Sequence, residues 1–105
     1  MYIQIITFQL AGISDADYRR HSETSAQKFA NMPGLLQKVW LGDSESNTYG
    51  GVYVWSSREA MEQYKASEVF AGLKANPAMI NVTSRELDVI DAPTAITSNL
   101  LQPVD

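Results

Sequence analysis

The sequence predicts an α+β fold with the element order β-α-β-β-α-β, in which one four-stranded antiparallel sheet carries its helices on one face. Three observations lead there. Runs rich in Ile, Val, Phe and Tyr occupy residues 2–10, 35–42, 49–55 and 79–90, with Gly, Pro, Asn or Asp between them. Apolar residues recur at spacings of three and four after residue 14 and again after residue 56, which is helical periodicity. The second and third runs are separated by the polar segment GDSESN, which reads as a hairpin turn.

The first strand, YIQIITFQL, has no basic residue ahead of its apolar run and so reads as a strand, not as a secretion signal. Ser14 follows as a helix N-cap, and Asp15 and Asp17 suit the positive end of the helix dipole. The first helix is expected over 15–32, with Tyr18, Ser22, Ser25, Phe29 and Met32 on its inward stripe and Pro33-Gly34 as its stop. After the hairpin, Ser56 and Glu59 have capping-box spacing for a second helix over 57–66, with Ala60, Met61 and Tyr64 inward. A short further helix over 67–75 turns Val69, Phe70 and Leu73 inward and stops at Asn76-Pro77. Beyond the fourth strand, an irregular tail is expected from about residue 91. It contains Pro93 and Pro103, and Ile96, Leu100 and Leu101 suggest packing against something.

A hairpin and two right-handed crossovers arrange these strands in the order 4-1-3-2, a ferredoxin-like sheet. Its two faces are both greasy. The first strand puts Tyr2, Gln4, Ile6, Phe8 and Leu10 on one side and Ile3, Ile5 and Thr7 on the other. The third puts Tyr49, Gly51, Tyr53 and Trp55 on one side and Gly50, Val52 and Val54 on the other, and which side meets the helices is open. Helices cover one face only, and each large apolar side chain left in water forfeits about 1.5–3 kcal/mol. A homodimer that packs two sheets face to face, a dimeric α+β barrel, is therefore expected.

The chain has 105 residues, which fits one domain spanning 1–105. A composition of 45% hydrophobic and 19% charged residues is that of a globular protein. A formal net charge of -4 and the lack of any basic run argue against nucleic acid or an anionic membrane surface as partner. Without cysteine there is no disulfide framework and no thiolate metal site. No apolar run reaches the roughly 18 residues of a membrane span, so a soluble, cytoplasmic protein is expected.

The segment PGLLQKVW (33–40), followed after an acidic turn by GGVYVW (50–55) and SSREAMEQY (56–64), resembles the YdhR-like monooxygenases of the dimeric α+β barrel superfamily. The resemblance is densest over residues 33–73 and extends to the first strand and to LDVIDAPTAITSNLL (87–101). It implies oxidation of a small aromatic or polyketide-like substrate without flavin, haem or metal, so no cofactor is expected. Haem degradation also occurs in the superfamily, but the chain shows no matching Asn-Trp-His set.

Several residues are candidates for that chemistry. His21, the single histidine, lies about 60° from the centre of the first helix's inward stripe, at the border between pocket and solvent. An imidazole there is able to act as general base on a phenol; the plainer reading is a boundary histidine without a role. Trp40 falls opposite Gly50 or Gly51, where a ring has room to lie over the backbone or a planar ligand to approach, or simply to pack. Tyr53 and Trp55 share one face and belong either to a pocket under the helices or to a dimer core. Tyr64 offers a hydroxyl to orient substrate, or is an ordinary core residue. Lys38 and Arg85 are charges within strands. Guarding a sheet edge is the favoured reading for both, with anion binding as the alternative. Scattered carboxylates give no metal-ligand spacing. A dimeric barrel that binds a hydrophobic small molecule, or serves a stress role, without catalysis remains open, as does an isomerase or cyclase on the same scaffold.

Overall fold

A computed structural model describes residues 1–99. The elements run β1 (Tyr2–Leu10), α1 (Asp15–Ala30), β2 (Leu35–Asp43), β3 (Thr48–Trp55), α2 (Arg58–Lys65), α3 (Glu68–Ala75), β4 (Met79–Asp88) and α4 (Asp91–Thr97). The four strands form one antiparallel sheet in the order β2-β3-β1-β4, the expected ferredoxin-like order counted from the other edge.

Local chemistry sets most boundaries. Ser14 caps α1, its side chain accepting from the Asp17 N–H at 3.1 Å. In the hairpin turn Asn47 takes a left-handed φ of 49°, a conformation its short polar side chain tolerates. The Asn47 amide accepts from Leu10 N at 3.2 Å and donates to Leu10 O at 3.1 Å, which ties the turn to the end of β1.

The cap of α2 differs from expectation. Ser57, not Ser56, is the N-cap and accepts from the Ala60 N–H at 3.1 Å. The Ser56 N–H donates to Gly34 O at 2.7 Å, which holds Ser56 in the connection and starts the helix one residue later. Glu59 then stands in the first turn, where it meets the helix dipole, and is too early to close a capping box. The expected irregular tail also differs, because residues 91–97 form a short helix. Asp91 favours its N-terminus, and Pro93 falls in the first turn, where no N–H is needed. Ile96 does not pack as expected; it is 82% exposed. Leu100 and Leu101 lie outside the described residues.

The open question of the two faces is answered by burial. Gln4, Ile6, Tyr53 and Trp55 lie beneath the helices, each 3% exposed or less, with Met61, Tyr64 and Phe70 from above. A buried polar chain runs through this layer. Trp55 Nε1 donates to Gln4 Oε1 at 3.0 Å, and Gln4 Nε2 donates to Ser84 Oγ at 3.1 Å. Ser84 continues to Glu86, which meets Lys65 at 2.9 Å. The chain therefore joins three strands and α2. The opposite face carries Ile3, Ile5, Val52 and Val39. There Val39 and Leu87 remain 45% and 47% exposed. Among the described residues no helix is long and apolar enough to cross a membrane.

Candidate functional site

Short side chains on facing elements leave a cavity of about 300 Å³ between the sheet and the helices. Ser25 on the inward stripe of α1 and Gly72 on α3 line it where larger residues would fill it. Its aromatic wall comes from Phe29 of α1, Trp40 of β2, Tyr53 of β3 and Tyr64 of α2. The space is about twice the 150 Å³ or so that holds a benzene ring, and it reaches the lower end of ligand-pocket sizes.

The aromatic groups fix one another. Trp40 meets Phe29 edge-on, with ring centroids 5.4 Å apart. Tyr53 and Tyr64 lie 5.5 Å apart with their hydroxyls at 3.5 Å, so the two phenols share one polar spot in an apolar wall. Burial pushes the ionisation of both phenols up, so they remain donors at neutral pH. Burial likewise pushes Tyr18 up to about 12. Of the two places open to it, Trp55 takes the side under the helices, but it does not line the cavity. Its ring is fully buried behind Tyr53, stacked at 6.0 Å, with its N–H held by Gln4. It supports the wall from behind.

Trp40 pairs with Gly51, one of the two partners expected. The bare backbone there serves Lys38 as well as the indole. Lys38 pairs with Tyr53 and shares the inward face with Trp40. Its stem crosses Gly51, where a Cβ would stand 3.0 Å from Lys38 Cε. The amine ends among ring faces, with Nζ 3.4 Å from the Phe29 centroid, 3.3 Å from that of Trp40 and 4.7 Å from that of Tyr53. Burial pulls its pKa down to about 7, while the ring faces return part of the lost hydration to the ammonium.

The edge-guarding reading of Lys38 is therefore corrected. β2 is an edge strand, yet the side chain turns in under α1 and does not guard the open edge. A signal was available in the sequence. If Trp40 faces Gly51, the antiparallel register puts Lys38 opposite Tyr53 and on the same face as Trp40. Arg85 pairs with Ile5 on the opposite, exposed face, away from this site.

His21 lines the mouth of the cavity and is exposed, as the helical geometry predicts. Lys28 and Glu68 are also exposed at the rim. The structure thus gathers His21, Trp40, Tyr53 and Tyr64 around one space, adds Lys38 and excludes Trp55. Among the described residues no group of three or more His, Asp or Glu side chains is placed to hold a metal ion.

The arrangement can enclose a flat, apolar molecule and offer it two phenolic hydroxyls, an amine and an imidazole. The family model described as "Putative mono-oxygenase ydhR" matches residues 3–99. No curated protein matches the sequence. Among solved structures, the haem degrader MhuD from Mycobacterium tuberculosis, with two haems in its active site, is 21% identical, with 86% of this chain and 96% of MhuD covered at a TM-score of 0.67. SnoaB, a cofactor-independent oxygenase from Streptomyces nogalater solved as a point mutant, is 20% identical, with 85% and 92% covered at 0.66. A Deinococcus radiodurans protein described as a "putative antibiotic biosynthesis monooxygenase" is 17% identical, with 88% and 95% covered at 0.67. At these identities the likeness is one of fold.

Proposed function

Because the chain belongs to the ydhR mono-oxygenase family, we propose that it oxidises a small electron-rich aromatic or polyketide-like molecule with molecular oxygen and without a cofactor. The observation that carries this reading is the 300 Å³ cavity walled by Phe29, Trp40, Tyr53 and Tyr64. SnoaB, which shares the fold, is itself a cofactor-independent oxygenase.

Such chemistry asks little covalent help of the protein. A substrate CH₂ activated by a neighbouring phenol is oxidised to C=O, one oxygen atom of O₂ entering the product and the other leaving as water. The substrate supplies all the electrons. The protein supplies a dry, shaped space, orientation and a proton acceptor. Phe29, Trp40 and Tyr53 wall the space for a planar ring system, and the paired hydroxyls of Tyr53 and Tyr64 orient a substrate carbonyl. His21 at the mouth and Lys38 within are two groups placed to meet an acidic substrate hydroxyl.

Oxygen uptake with a panel of hydroxylated anthrones and quinols tests the reading, comparing wild type with His21→Ala and Trp40→Phe. Turnover that consumes one O₂ per substrate and weakens in Trp40→Phe supports it. Thermal stabilisation by these compounds with no product formed instead identifies a non-catalytic binding protein, and conversion without oxygen identifies an isomerase or cyclase. For haem, which MhuD holds, a flat Soret titration is expected, since the chain's single histidine stands at the exposed mouth and there is no cysteine.

The same reading includes a homodimer. The sheet face opposite the cavity exposes Val39 at 45% and Leu87 at 47% beside Ile5 and Val52. A second copy laid on that face removes this apolar surface from water. Each chain is then a single domain, and in the dimer the two sheets back onto each other with the two cavities opening on opposite sides.

A further inference from the structure

Among the described residues Lys38 is an amine without an acidic partner. Among the described residues its Nζ makes no hydrogen bond or ion pair, only the contacts to the faces of Phe29, Trp40 and Tyr53. Fold stability does not call for it. A methionine would follow the same path over Gly51 without bringing a charge out of water. The aromatic cage does two things to the amine. It holds Nζ at a fixed point on the cavity wall, and it screens the half-buried ammonium from part of its hydration. A group so placed is completed by a ligand that brings an acidic O–H against it.

We propose that Lys38 is the proton acceptor for the acidic hydroxyl of a phenolic or enolic ligand bound in this cavity. The proposal rests on the cavity being the substrate site and names the substrate class. In the step, the ligand O–H bond breaks, its electron pair stays on oxygen, and an N–H bond forms on Lys38. No electron is gained or lost and no co-reactant is needed. The product is an oxyanion against an ammonium in a space partly screened from water, where such a charge-assisted contact is stronger than in bulk. The flat faces of Trp40 and Phe29 favour a planar ligand beside the amine. The oxyanion is also the form of a phenol best able to give electrons to oxygen, so binding and activation are one event.

The other titratable groups facing the cavity are Tyr18, His21 and Lys28 of α1, Tyr53 of β3, Tyr64 of α2 and Glu68 of α3. The three tyrosines are held protonated by burial and cannot compete as bases. His21, Lys28 and Glu68 stand in solvent at the rim. Lys38, drawn down to about 7 by burial, carries the neutral form in about equal share near neutral pH.

The test uses 4-nitrophenol, whose phenolate absorbs in the visible, titrated with full-length protein one pH unit below the probe's own pKa. Wild type is expected to turn bound probe into phenolate. Lys38→Met, with its fold checked by circular dichroism, is expected to lose at least tenfold in phenolate formed per bound probe. Lys38→Arg adds a readout that a packing role would not move. Its fixed cation takes no proton, so in a companion titration one pH unit above the amine's midpoint, with a weaker phenol whose own pKa lies a further unit higher, phenolate binding releases about one proton to a weak buffer, whereas wild type, its amine largely neutral there, keeps the probe's proton and releases close to none. Phenolate formation that persists in Lys38→Met, or that vanishes in His21→Ala but not in Lys38→Met, overturns the proposal. So does a wild type that binds the probe only as neutral phenol or not at all. Because none of these signals needs oxygen, a protein that makes the phenolate but never consumes O₂ keeps the Lys38 assignment and loses the oxygenase reading.

Discussion

Gly51 gives Lys38 its path: a Cβ at residue 51 would stand 3.0 Å from Lys38 Cε and 3.2 Å from Tyr53 Cε1. One missing methyl on β3 thus decides where a charge on β2 ends up. Gly51→Ala is expected to push the amine off the Trp40 face and to cost about 1–3 kcal/mol of stability through overpacking. Urea denaturation reads the second effect. Nitrophenol titration reads the first, where at least a tenfold drop in phenolate formation is expected although Lys38 is still present. An alanine variant that binds the probe as wild type does would show that the stem has room to spare.

Burial of Lys38 also ties stability to pH. Its folded pKa, about 7, lies below the ordinary lysine value of 10.5. Between those values the unfolded chain binds more protons than the folded one, so this group's penalty on folding fades as pH rises through the window. Below pH 7 both states are charged and the penalty is complete. Lys38→Met removes it. The variant is expected to melt above wild type at pH 6 and the gap to shrink steadily toward pH 10. Parallel melting curves at all pH values would contradict the burial of this amine.

The wall behind the cavity depends on one buried hydrogen bond. Trp55 Nε1 donates to Gln4 Oε1 at 3.0 Å, and both residues are fully buried. Trp55→Phe leaves that oxygen without its donor and opens space behind Tyr53, for a cost of about 2–4 kcal/mol. Gln4→Leu strands the indole N–H instead, at about 1–3 kcal/mol. The double variant is expected to lose less than the sum of the singles, which a denaturation cycle measures. Strict additivity would mean that the bond contributes nothing.

On the opposite face, Val39→Glu combined with Leu87→Glu is expected to keep the fold and abolish the dimer. Sedimentation of wild type at micromolar concentration should give a particle of twice the 11.6 kDa chain, and of the double variant a single chain. A wild type that is fully folded at 11.6 kDa would remove the dimer from this reading.

How much of this was legible beforehand follows from where the information sits. The element order was plain because Ser14, Pro33-Gly34 and Asn76-Pro77 punctuate helices whose inward residues recur at helical spacing. Trp40, Tyr53 and Tyr64 were recognisable as aromatic candidates, and the Trp40 partner was narrowed to two glycines. Other features carry no local signature, and Trp55's place behind Tyr53 and the exposure of Ile96 are among them. The cap of α2 shifted because Ser56 is drawn to Gly34, a tertiary contact no local motif encodes. The helix α4 lacks a side-chain cap, so its start has little local signature. The pattern points Lys38 to an open edge because a charged residue on an edge strand is usually a guard. Its inward turn depends on register, on Gly51 and on three rings from two other elements and its own strand.

The most direct measurement is a turnover of a hydroxyanthrone under ¹⁸O₂ with metal chelator present and no added flavin, followed by mass spectrometry of the product. One ¹⁸O atom in the new carbonyl, with the label lost when Trp40 and Lys38 are replaced, is the predicted result. Product formed at the same rate without oxygen, or with its new oxygen drawn from water, would contradict it.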